Sequence, residues 1–125
     1  MKVAIVGADE TDQIGIVPDM TPIMMHAQAA RNALRDAGID KSEVDGVFTC
    51  GIGGMASTQL SEYLGIIPKY TDSTITGGSS FVIHVEHAAA AIAAGLCNVA
   101  LITHGETGFS SRNRRGPRQS YGFDS

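Results

Sequence analysis

Gly77, Gly78, Ser79 and Ser80 stand immediately before the longest apolar run of the chain, residues 81 to 96. Two glycines let a ligand approach the backbone closely, and two serines place hydroxyls beside it. If the run that follows is helical, its first turn directs unpaired N–H groups and a partial positive charge toward the same spot. Such a place suits an anion, or the oxyanion that forms when a carbonyl is attacked. Ser79 and Ser80 have a simpler alternative as helix caps, a position that serine favours. Residues 78 to 80 do not make G-x-S-x-G, so the serine elbow of α/β-hydrolases is disfavoured.

The remaining polar candidates are scattered. His104 follows the strand-like run of residues 98 to 103 and would sit at a strand end, where α/β sites gather; it is open to catalysis or to a structural hydrogen bond. His84 and His87 lie three apart on one helix face, but Glu86 falls on another face and no third ligand has suitable spacing, so no metal site is expected. Packing or hydrogen bonding accounts for both, and His26, on an earlier helix, carries no functional signal. Cys50 and Cys97 lack C-x-x-C or Cys/His ligand spacing, which argues against a disulfide framework and a zinc site. Gly7, Gly51, Gly53 and Gly54 match neither G-x-G-x-x-G nor the P-loop pattern, so they mark tight turns.

Arg112, Arg114, Arg115 and Arg118 concentrate positive charge in a chain whose formal net charge is −4. Three roles are open to them: a solvated loop, a clamp on phosphate groups, or contact with a partner or nucleic acid. The acidic balance of the whole chain argues against a general nucleic-acid binder. Only 18% of the residues are charged, which leaves room for part of the surface to be covered by a partner. The amino terminus reads as neither a signal peptide nor a spanning helix, and a cytoplasmic location is expected.

The elements that must position these groups alternate. Lys2 to Val6 reads as an opening strand buried on both faces. Thr21-Pro22 then caps a helix whose apolar and small positions, Ile23, Ala27, Ala30, Leu34 and Ala37, recur at three- and four-residue steps until Gly38. A strand from Gly46 to Cys50, a short helix from Ser57 to Leu64 and a threonine-rich strand from Tyr70 to Ile75 follow. The helix after Ser80 stops at Gly95, and Asn98 to Thr103 forms the last strand. This order predicts an α/β fold with a mostly parallel central sheet and helices on both faces. Because residues 81 to 94 are apolar or alanine on nearly every side, the last helix is expected to be a buried central one, enclosed by other elements or another subunit. Residues 1 to 106 form the α/β domain in this reading, and 107 to 125 a loop region or tail.

The run GGSSFVIHVEHAAAAIAAGLCNVALITHGE, residues 77 to 106, resembles the nucleophile-helix segment of the thiolase superfamily, especially its sterol-carrier-protein thiolase and lipid-transfer-protein branch. KVAIVGADET at the start and AARNALRDAGIDKSEVDGVF in the middle support the likeness in the order that branch requires. The resemblance implies the first part of a layered thiolase-like fold, with a chain that stops about a third of the way along the usual family length. It implies acyl-CoA as substrate, no tightly bound cofactor, and a homodimer formed through Lys69 to Ile75 and the helix at 78–95. An OB-fold partner protein goes with the alternative of a partner-dependent subunit. Counting back from Ile92 to Gly95 and from Gly105-Glu106, the family's acyl-accepting cysteine falls at Gly78. Ordinary thiolysis through an acyl-cysteine is therefore not expected of this chain. Some family members without that cysteine resemble retro-aldolases, which need only an enolate-stabilising pocket, and the small Gly78 suits that chemistry; with Ser79 and Ser80 at the helix mouth and His104 at the strand end, it makes up the candidate site. The four arginines are then candidates for the phosphates of coenzyme A. A non-catalytic, partner-dependent subunit is the competing expectation.

Overall fold

The computed structural model describes residues 2–12 and 20–105. Helix α1 spans Pro22–Ala37, with Thr21 as its N-cap accepting from the Met24 amide and Gly38 closing it in the left-handed conformation at φ 69°. The chain then makes a single 3-10 turn at Lys41–Glu43, fixed by a reciprocal capping box between Asp40 and Glu43. Strand β1 is Gly46–Phe48, helix α2 is Ala56–Leu64 and strand β2 is Tyr70–Asp72. Helix α3, Ser80–Ala93, and strand β3, Ala100–Ile102, complete the described order.

The three strands form one parallel sheet in the order β2-β1-β3. Gly46 pairs with Tyr70 on one side and with Ala100 on the other, so β1 is central and all three of its residues are buried. Its alternation divides the core. Val47 faces the layer of α1 and α2, where Ala27, Ala30, Leu60, Leu64 and Leu101 pack around it. Phe48 faces α3, against Ala88, Ala91 and Cys97. The sheet therefore carries helices on both faces, the arrangement that a parallel sheet requires.

The expected strand at residues 2–6 does not form. These residues lie outside the sheet, with Val3, Ile5 and Val6 exposed by 42%, 79% and 62%. The polar neighbours of that run settle along α1 instead. The Ala8 amide donates to the Asp36 carboxylate at 3.0 Å, and the Asn32 side chain donates to the Glu10 carbonyl at 2.9 Å. The approach is close enough that a Cβ on Gly7 would stand 2.6 Å from the Cβ of Ala37. A β-branched run specifies a strand only where a neighbouring strand receives its hydrogen bonds, and none among the described residues does so here.

Helix α3 buries one stripe, Ser80, His84, Ala88 and Ala91, against the sheet. Its opposite side is open within the described residues: Phe81, Val82 and Val85 are exposed by 41%, 56% and 42%. Enclosure on every side is thus not reached by this part of the chain alone.

Leu60 is fully buried between α2 and the sheet, and Leu60→Ala should destabilise the protein by about 2–5 kcal/mol through lost transfer energy and the cavity left behind. The expected readout is a lower urea midpoint at an unchanged m-value.

Candidate functional site at the mouth of helix α3

Three parallel strands end at the same edge of the sheet, and α3 begins there after the connection from β2. Hydrogen bonds between extended segments continue just beyond the strands. The Thr49 amide donates to the Asp72 carbonyl at 3.1 Å, and the Thr103 amide to the Phe48 carbonyl at 3.2 Å.

The connection into α3 is clamped by side chains. The Ser80 hydroxyl donates to the Gly77 carbonyl and accepts from the Thr76 amide, both at 2.7 Å. Ser80 is buried, and its hydroxyl is committed to this turn. His84 Nε2 lies 2.8 Å from the Thr74 carbonyl and must donate to it, because a carbonyl only accepts. That fixes a proton on Nε2, while Nδ1 is buried without a hydrogen-bond partner among the described residues. His87 Nδ1 pairs with the Asp72 carboxylate, which also accepts from the amide and the hydroxyl of Thr74. Burial pushes the Asp72 carboxyl up, but the Thr74 hydroxyl and amide, together with His87, outweigh it and hold the group below its ordinary value.

Gly77, with φ at 84°, turns the chain in a conformation that a larger residue adopts only with strain. Gly78 is exposed, and a Cβ built there meets nothing within 4 Å. Ser79 is the N-cap of α3 but makes no side-chain capping bond; among the described residues its exposed hydroxyl reaches only the Thr76 hydroxyl, at 3.4 Å. Thus the structure brings together, at one helix mouth, an open glycine, an exposed hydroxyl and a buried one that braces the turn. His104 lies beside them. Its ring centroid is 5.3 Å from that of Phe81 on the first turn of α3, and the residue is exposed. The candidate phosphate ligands Arg112, Arg114, Arg115 and Arg118 lie outside the described residues.

His26, which offered no signal as a lone histidine in a helical pattern, proves to be fully buried at this same edge. Its Nδ1 lies 2.7 Å from the Thr103 hydroxyl and 3.0 Å from the Thr49 hydroxyl, and its Nε2 lies 3.0 Å from the Gly105 carbonyl. The only hint in the sequence is that threonines, Thr49 and Thr103, close two of the apolar strands; their meeting with His26 depends on the fold. Burial pushes the His26 imidazole down to about 4, against the opposing pull of the Gly105 carbonyl and with a small further push from His104. Among the described residues no group of three or more His, Cys, Asp or Glu side chains could hold a metal ion.

No protein-family model and no curated protein sequence gives a significant match to the chain. Solved structures do. A monomeric SCP2-thiolase-like protein type 1 from Mycobacterium smegmatis superposes with a TM-score of 0.62 at 23% identity, over 77% of this chain and 21% of that one. The fold is that of the thiolase superfamily. The Ltp2-ChsH2(DUF35) aldolase is similar at a TM-score of 0.59 and 25% identity, over 78% of this thiolase-like chain and 27% of its counterpart. A cysteine-to-serine variant of OleA from Xanthomonas campestris, solved with bound lauric acid and lauroyl-CoA, has a TM-score of 0.57 at 22% identity over 66% of this chain and 26% of that one. The thiolase-like chain therefore spans about a quarter of the length of these structures. No described helix is long and apolar enough to cross a membrane.

The buried imidazole has a measurable consequence. With an ordinary value of 6.5 lowered to about 4 in the fold, His26 binds a proton more readily in the unfolded chain between those two values. Its contribution is complete above about pH 6.5 and should decline by roughly 3 kcal/mol as the pH falls toward 4. Asp72 acts lower, since its depressed carboxyl stabilises the fold above its ordinary value of 3.8 and is lost as the pH drops through the folded one. Denaturation midpoints measured from pH 7 to pH 4 should therefore fall in the wild type, and His26→Gln should flatten that decline.

Proposed function

We propose that this chain supplies the helix-mouth portion of a thiolase-type site that makes or breaks a carbon–carbon bond in an acyl-CoA thioester, in lipid or steroid side-chain metabolism. The observation that carries this reading is the open mouth of α3: Gly78 is exposed with free space above its Cα, at the edge of the sheet where the parallel strands end. The first amides of α3 and the exposed hydroxyl of Ser79 would face the thioester oxygen, where donors held in place stabilise developing negative charge. Ser80 would hold the turn in shape from below, and His104 would approach the reacting group from the side. With glycine at position 78 there is no thiolate to carry an acyl group, and cleavage of a β-hydroxyacyl-CoA into a carbonyl compound and a shorter thioester needs none. The Ltp2-ChsH2(DUF35) aldolase gives that chemistry a structural neighbour. Arg112, Arg114, Arg115 and Arg118 would hold the phosphates of coenzyme A. No tightly bound cofactor is invoked, and the proposed setting is the cytoplasm.

Pairing of two copies through the segment from Lys69 to Ile75 and α3 would build the proposed homodimer, since β2 lies at one edge of the sheet. A partner-dependent subunit is the second reading, favoured by the exposed Phe81, Val82 and Val85 on α3. An OB-fold protein is the proposed partner in that case. Activity confined to a heteromer identified by native mass measurement supports this second reading, whereas an active homodimer removes it.

Two assays test the enzymatic proposal. The wild type in its complete assembly should cleave a β-hydroxyacyl-CoA and should not accumulate a covalent acyl group from acetyl-CoA; absence of cleavage rejects the retro-aldol reading. Gly78→Cys fits the open space and is not at a positive-φ position. A thiol at the amino end of α3 should ionise more readily than a free cysteine and become acetylated by acetyl-CoA, seen as a mass increment absent from the wild type. Failure of that thiol to acylate in a folded variant would place the substrate elsewhere.

A further inference from the structure

We propose that His26 is a positioning residue for this site: it grips the chain leaving β3 through the Gly105 carbonyl and so sets His104 against the first turn of α3. The proposal rests on the reading of the α3 mouth given above and extends it to a residue on α1.

The hydrogen bonds fix what His26 can do. A carbonyl accepts only, so Nε2 carries the proton and donates to Gly105 at 3.0 Å. Nδ1 then accepts from a threonine hydroxyl, with Thr103 at 2.7 Å and Thr49 at 3.0 Å. The hydroxyls of Thr103 and Thr49 are 2.8 Å apart, and Thr49 also reaches the Thr103 carbonyl at 3.2 Å. Each hydroxyl proton therefore has an acceptor whichever threonine serves the imidazole. One neutral tautomer satisfies the whole group, and it joins α1 to the ends of β1 and β3.

Gly105 shows how close the grip is. A Cβ at that position would lie 3.1 Å from His26 Cδ2, 3.1 Å from the Met25 Cβ and 3.2 Å from the His26 amide nitrogen. Such spacing leaves little room for a side chain between the outgoing strand and α1. His104 lies between the two gripped residues, Thr103 and Gly105. Its imidazole makes no hydrogen bond among the described residues and is held by ring contacts alone, 6.4 Å from His26 and 5.3 Å from Phe81 between centroids. A ring so placed follows its backbone, and the backbone is held by His26. Burial at 0% exposure keeps His26 itself away from any substrate, so its action is through His104.

The test uses the full chain in its complete assembly, with histidine labelled for NMR. Wild-type His26 should show an Nε2-bound proton and a bare Nδ1, and the rings of His104 and Phe81 should exchange magnetisation. His26→Phe fills the space but removes the donor, and Gly105→Ala leaves the imidazole intact while wedging the strand exit away from α1. Both should weaken the His104–Phe81 cross-peaks, whereas His26→Gln, which restores a donor toward Gly105, should retain them. With β-hydroxyacyl-CoA as substrate, His26→Phe should lower kcat by about 10²-fold with KM little changed, and glutamine should recover most of the loss. A folded His26→Phe protein with unchanged cross-peaks and kcat overturns the proposal, as does glutamine performing no better than phenylalanine. Should His26→Phe fail to fold, Gly105→Ala decides by the same cross-peaks. A wild type without turnover would reject the site reading, while the resonances would still report whether His26 holds His104.

Discussion

The structure depends on a central strand that has no solvent-facing side. Gly46, Val47 and Phe48 are all buried, so each face of β1 must be covered and each of its edges must be paired. Val47 recruits α1 and α2, and Phe48 recruits α3. Gly46 answers a tighter demand, because a Cβ there would stand 2.9 Å from the Cys97 sulfur. Parallel pairing on both edges then brings every strand end to one side of the sheet, and the polar groups that follow the strands meet there without further instruction. Thr49 and Thr103, each one step beyond its strand, meet at His26, and Asp72, the last residue of β2, binds Thr74 and His87 ahead of and on α3.

Much of this was legible in the chain. Thr21-Pro22 and Gly38 bound α1 as capping chemistry predicts, and the short helix ahead of Gly65 forms with that glycine as its left-handed stop. The strand readings were longer than the strands: Tyr70 to Ile75 contracts to Tyr70–Asp72, because Asp72 turns back to bind Thr74 and starts the descent into α3. The run at residues 2–6 misled for a different reason. Its composition is that of a buried strand, but composition does not supply the neighbour that would pair with it.

The geometry of the candidate site was legible where it depends on backbone and hidden where it depends on contact. Glycines and serines ahead of an apolar helix are a local signal, and they do form the mouth of α3. Which serine does what is not local. Ser79 holds the capping position without using its hydroxyl to cap, while Ser80, one residue inside the helix, reaches back to brace the turn. His26 lies 77 residues before Thr103 in the chain, a separation over which no periodicity speaks. His84 and His87, expected to pack or to hydrogen-bond, tie α3 to Thr74 in the connection before it and to Asp72 at the end of β2.

Helix α3 presents two stripes with different obligations. Ser80, His84, Ala88 and Ala91 serve the sheet beneath them, whereas Phe81, Val82 and Val85 project away from it. A change on the first stripe acts on the folding of this chain, whereas a change on the second alters what the described residues present outward. The outer side of this rod can therefore change its chemistry without disturbing the sheet, while the inner side has no such freedom.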